Sequence, residues 1–113
     1  MTALDFNKDI VLKPRHRLDI EAANLLKEQF AQIRGDRHPI WAIDMTDVEF
    51  IDSSGLGALA VGLKTAQKQG CRLVICNLQP TARLIFEISQ LDRVFEIVDS
   101  LDALVSQKVK LAA

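Results

Sequence analysis

Two strand-length apolar runs, Ile40-Trp41-Ala42-Ile43 and Leu73-Val74-Ile75, flank a segment whose apolar residues recur at helical spacing from about Ser54 to Gln69. Runs that short and that apolar suit strands buried on both faces. A helix between two such strands returns the chain to the end where the first strand began, so the strands it joins lie parallel. The alternation extends in both directions. From Asp19, which suits an N-cap, Ala22, Leu26, Phe30 and Ile33 recur at helical spacing until Gly35 supplies a stop. Pro80 fits a first helical position and opens a third helix through Leu84, Ile85 and Ile88. Val94 to Val98 reads as a last short strand, and Asp99 or Ser100 as the cap of a final helix carrying Leu101, Leu104 and Val105. At the other end, Leu4 to Asn7 and Ile10 to Lys13 are β-prone runs split by Lys8-Asp9, which predicts a hairpin or a bend before Pro14. The class is α/β.

With 113 residues, 49% of them hydrophobic, the chain can fill one core but not two ordinary domains, so residues 1–113 read as a single domain. A formal charge of -1 leaves no electrostatic footprint for nucleic acid or for an anionic membrane. A protein partner or a small ligand fits better. No apolar run approaches the roughly 20 residues that span a bilayer, and Met1-Thr2-Ala3-Leu4-Asp5 lacks a basic region followed by an apolar one. The expectation is a cytoplasmic protein that does not insert into membranes. Cys71 and Cys76 fall on opposite faces of a strand, too few and wrongly placed for zinc, and read as reduced, buried thiols.

The stretch most informative about function is Asp52-Ser53-Ser54-Gly55-Leu56-Gly57, two hydroxyls and an acid at the start of a helix with no charge until Lys64. A helix N-terminus offers unpaired N–H groups and the positive end of the macrodipole, so a phosphate there is tolerated without unfolding. Added charge beside Asp52 and Glu49 would then change what a docking protein meets. Gly57 and Gly62 are interior helical glycines that each cost about 1 kcal/mol relative to Ala, which calls for a reason. Leu56, Leu59, Ala60 and Leu63 form a stripe for the sheet. Ser54, Ala58, Val61, Gly62 and Thr65 form a second stripe of small residues that suits the close approach of another protein. Taken from the residues alone, an ordinary cap at Ser53 or Ser54 and a signalling serine remain equally open.

The run Phe50-Ile51-Asp52-Ser53-Ser54-Gly55-Leu56-Gly57-Ala58-Leu59 closely resembles the anti-anti-sigma factors of the STAS family. Leu18-Asp19, the strand into Asp44, and Leu84 to Leu91 leading to Val94-Phe95-Glu96-Ile97 extend the likeness over most of the chain. The resemblance implies one STAS-like domain, with a mixed sheet of about four or five strands and helices packed mainly on one side. It also implies a partner switch. The unphosphorylated protein binds an anti-sigma factor that is itself a serine kinase, phosphorylation releases it, and a serine phosphatase restores the active form. Carried over by position, Ser53 is the phosphoacceptor, Asp52 the neighbouring recognition acid and Asp19 the aspartate of the upstream loop. Gly55, Leu56, Gly57, Ala58, Val61 and Gly62 join Ser54 on the docking face. No cofactor, metal or catalytic residue is implied.

One segment departs from the pattern. The family has a glycine, often followed by an acidic or small residue, before Leu-Asp, whereas this chain has Pro14-Arg15-His16-Arg17 with His16 in the glycine position. Arg15 and Arg17 either adapt the surface to a more acidic partner or form a solvated loop. Rival readings are weaker. An enzyme with Ser53 as nucleophile has only His16 as a nearby base and lacks the Gly-x-Ser-x-Gly elbow. Asp44, Asp47, Glu49 and Asp52 suggest magnesium, but the acidic pair expected after a first strand is missing. A scaffold or a subunit of a lipid-transport complex would share the fold without acting on a sigma factor.

Overall fold

The computed structural model describes residues 9–104. Its elements run β1 (Ile10–Leu12), β2 (His16–Leu18), α1 (Ile20–Gln32), β3 (Ile40–Asp44), β4 (Val48–Ile51), α2 (Ser53–Lys68), β5 (Arg72–Cys76), α3 (Pro80–Ile88) and β6 (Glu96–Val98). A single turn of 3-10 helix at Leu91–Arg93 precedes β6. Four strands form one sheet in the order β1-β3-β5-β6, and β2 pairs with β4 in a separate two-stranded sheet. Every pair among the described residues is parallel. The hairpin's first run, Leu4 to Asn7, lies outside those residues.

The two apolar runs become the central strands. All five residues of β3 are buried, and its register with β5 sets Trp41 beside Leu73 and Ile43 beside Ile75. These side chains share one face with Leu26 and Phe30 of α1, Leu59 of α2 and Phe86 of α3. The Phe30 and Trp41 rings stack at 6.2 Å, and the Trp41 indole donates to His38 O at 2.7 Å. The opposite face, with Ala42, Val74, Cys76 and Val98, is covered by Leu104 from a helical turn at 101–104. Ser100 caps that turn, its Oγ accepting from the Ala103 N–H at 3.0 Å. Val105 lies outside the described residues. Helices α1 to α3 therefore lie on one side, as expected, and Cys71 and Cys76 are free thiols that enter different cores.

Several boundaries differ from the sequence expectation. Helix α1 starts after Asp19 as expected but buries Ala23 rather than Ala22, and it ends before the extended Ile33 rather than at Gly35. Helix α2 starts one residue earlier than Ser54 and ends at Lys68, with Gly70 in the left-handed region (φ 72) where a glycine carries no Cβ penalty. Residues 16–18, read as loop, pair with β4 as a strand.

Candidate functional site

Strands β2 and β4 run side by side and each is followed directly by an aspartate. Leu18 lies opposite Ile51, and the Asp52 N–H donates to Leu18 O at 3.4 Å, which draws the two strand ends together. Asp19 accepts from the Ala22 N–H at 3.2 Å and Asp52 from the Gly55 N–H at 3.1 Å. Both carboxylates thus cap the helix that follows, each meeting one of the four N–H groups a helix start leaves open. Two helix N-termini, with their positive ends, emerge next to one another.

The cap is the first correction. Neither serine caps α2, because Asp52 does. Ser53 is the first helical residue and is exposed; its hydroxyl makes no hydrogen bond among the described residues. Ser54 follows, half-buried. An exposed hydroxyl released from capping is accessible to a modifying enzyme, while the cap beneath it stays in place.

The second correction concerns the docking face. Gly55, Ala58 and Gly62 are buried with Leu59 and Ala66 on the stripe of α2 turned inward. A Cβ on Gly55 would lie 2.3 Å from Leu18 O, and one on Gly62 would lie 2.4 Å from Phe30 Cε2 and Cζ. These glycines let α2 close on β2 and α1, so they serve internal packing and leave the exposed face. Leu56 and Leu63, assigned to the sheet, are only half-buried, as are Ala60 and Thr65. What faces outward from the sequence-derived set is Ser53, Gly57 and Val61, with Leu56 partly so. A Cβ on Gly57 would meet nothing within 4 Å, so its lack of a side chain leaves open space one turn after Ser53.

The acidic set disperses. Asp44 is nearly buried; burial pushes its carboxyl up, but hydrogen bonds from Thr46, from the Asn77 amide at 2.9 Å and from the Thr46 N–H at 3.0 Å, with the charge of Lys13, hold it below the ordinary range. Asp47 pairs with Lys13 at 3.6 Å, and the Glu49 carbonyl accepts from the Thr81 hydroxyl at 3.4 Å. Among the described residues no three His, Cys, Asp or Glu side chains converge as a metal would need. His16 lines a surface groove of about 330 Å³ with Arg15, Asp47, Glu49 and Gln79. Its backbone is left-handed (φ 61), the conformation that makes glycine natural at this position.

Sequence reasoning missed one pairing. Arg17 stands opposite Phe50 across β2 and β4, and its guanidinium carbon lies 4.3 Å from the centre of the ring. No periodicity marks it in the sequence, because β2 is three residues long and both His16 and Arg17 are exposed before buried Leu18.

The STAS domain profile matches residues 2–104. The chain is 31% identical over 83 residues to BtrV of Bordetella bronchiseptica, a candidate anti-sigma factor antagonist, over 73% of this chain and 70% of that one. The crystal structure of an anti-sigma factor antagonist from Mycobacterium paratuberculosis superposes with a TM-score of 0.76 at 26% identity, covering 91% of this chain and 88% of the other. A sulfate transporter family protein from Wolinella succinogenes reaches a TM-score of 0.79 over 90% and 85% of the two chains, but at 16% identity the likeness is one of fold alone.

Proposed function

The chain belongs to the STAS domain family, and on that premise we propose that it is an anti-sigma factor antagonist whose binding is gated by phosphorylation of Ser53. In the unphosphorylated state it binds an anti-sigma factor that is also a serine kinase; the phosphorylated state releases it, and a serine phosphatase resets the switch. The observation that carries this reading is the exposed, uncapped hydroxyl of Ser53 at the first position of α2, directly after the capping carboxylate of Asp52.

The physics of the switch is local. A phosphoserine brings close to two negative charges and three acceptor oxygens. At Ser53 the new charge lies at the positive end of the helix, which offsets part of its cost to the fold. A docked protein meets that charge at the contact, where repulsion and desolvation act on binding. Asp19, Asp52, Ser54, Leu56, Gly57 and Val61 supply the surrounding surface, with Gly55, Ala58 and Gly62 supporting it from behind.

The test is direct. Incubation with the cognate kinase and ATP, followed by intact-mass and peptide analysis, should place one phosphate on Ser53; modification at Ser54 alone would overturn the assignment. Ser53→Ala should bind the kinase constitutively. Ser53→Glu should bind at least about tenfold more weakly, on the order of 1.4 kcal/mol. Equal affinity of the two variants would remove the mechanism.

A further inference from the structure

We propose that Arg17, stacked on Phe50 beside the start of α2, anchors an acidic segment of the partner protein, so that this chain selects a partner with a negatively charged contact surface. The proposal rests on the reading that the Ser53 end of the molecule is the docking surface, and it adds the chemistry of what docks.

Three observations carry it. Arg17 is exposed and forms no ion pair among the described residues, and the same holds for Arg15 two positions earlier. Of the acids at this end, Glu49 is exposed and lines the groove with Arg15 and His16, and three others are engaged. Asp19 and Asp52 are turned into their helices as caps, and Asp47 is held by Lys13. In a chain of net charge -1, Arg17 is thus an exposed cation on β2, with Arg15 just before the strand. Phe50 supplies the third. It is 40% exposed although large and apolar, and the guanidinium carbon of Arg17 lies over its ring.

An arginine resting on an aromatic ring loses little further freedom when it binds, and its planar fork matches a carboxylate in two parallel hydrogen bonds. Arginine and aromatic residues together are what interface hot spots favour. The register fixes the location. Arg17 opposes Phe50, Leu18 opposes Ile51, and Asp52 and Ser53 follow directly, so the anchor adjoins the first turn of α2. A phosphate on Ser53 would then repel the acidic segment that Arg17 holds.

The test titrates the isotope-labelled protein with a synthetic peptide of glutamate pairs separated by leucines, and with its glutamine counterpart, while amide resonances are followed. The glutamate peptide should give saturable shifts centred on Arg17 and Phe50 that shrink as salt is raised, and the glutamine peptide should not. Arg17→Glu should abolish the shifts. Arg17→Lys, which keeps charge and fold but loses the planar fork, should weaken binding several-fold. Equal response to both peptides, or unchanged binding by Arg17→Glu, would overturn the proposal. A second arm measures kinase affinity. Arg17→Glu should lose at least about tenfold, and an unchanged value beside tight binding of Ser53→Ala would sink the anchor while leaving the Ser53 switch intact. Failure of Ser53→Ala to bind the kinase would sink the switch instead, and the peptide titration still decides the anchor.

Discussion

Gly62 lies flat against the ring of Phe30, so close that a Cβ on Gly62 would sit 2.4 Å from two ring carbons. The contact joins α2 to α1, and the same ring stacks on Trp41 of the central strand. A glycine that looks costly in the helix is the condition for three elements, α1, α2 and β3, to meet.

Gly62→Ala should therefore lower stability by about 1–2 kcal/mol, because overpacking a filled core exceeds the helix-propensity gain of about 1 kcal/mol. Gly57→Ala should do the reverse and add about 0.5–1 kcal/mol, since its Cβ would meet open space. Urea denaturation of the two variants checks both signs. If Gly57 is part of the docking face, its variant should also bind the kinase more weakly while being the more stable protein.

Removal of a cap should cost stability without touching the phosphoacceptor. Asp52→Ala and Asp19→Ala should each lose about 1 kcal/mol, whereas Asp52→Asn should lose little because asparagine caps comparably. Thermal melts decide this. An Asp52→Ser protein that still accepts phosphate at position 53 at the parent rate would separate capping from recognition by the kinase.

His16 occupies left-handed backbone at a cost of about 1–2 kcal/mol for a non-glycine residue. Glycine there gives back about 0.4–1 kcal/mol through the freer unfolded chain. His16→Gly should thus stabilise by up to about 1 kcal/mol, with the His16 N–H to Asp47 O bond at 2.7 Å retained. A loss on chemical denaturation would show that the imidazole makes a compensating contact.

Asp44 sets an acid limit. Its folded carboxyl lies below the ordinary value of 3.8, so the stability it contributes is full above that value and is lost as pH falls through the lower folded one. Asp44→Asn should flatten the acid limb of the stability curve. Asn77→Ala, which removes a donor to that carboxylate, should shift the limb toward higher pH.

The sequence was most readable where one residue type had a single physical use. Ile40 to Ile43 had to be a buried strand, Asp19 had to cap, and Pro80 had to open a helix. It was least readable where small residues have two uses. A helical wheel places Ala58, Val61 and Gly62 together, but it does not know that Phe30 fills the space beside Gly62 and that nothing fills the space beside Gly57. Serine and aspartate next to one another compete for the same cap, and only the backbone entering from β4 gives it to Asp52. Strand β2 is three residues long and begins in left-handed backbone, below what periodicity detects.

Strand β5 and the residue before it place one thiol in each of two cores. Burial pushes both thiols up, Cys76 to about 12 with the negative charge of Asp44 contributing, so neither is a nucleophile while its layer is closed. The chain thus holds a chemical clock for its own opening. The order in which a thiol reagent marks Cys71 and Cys76 reports which side of the sheet comes apart first.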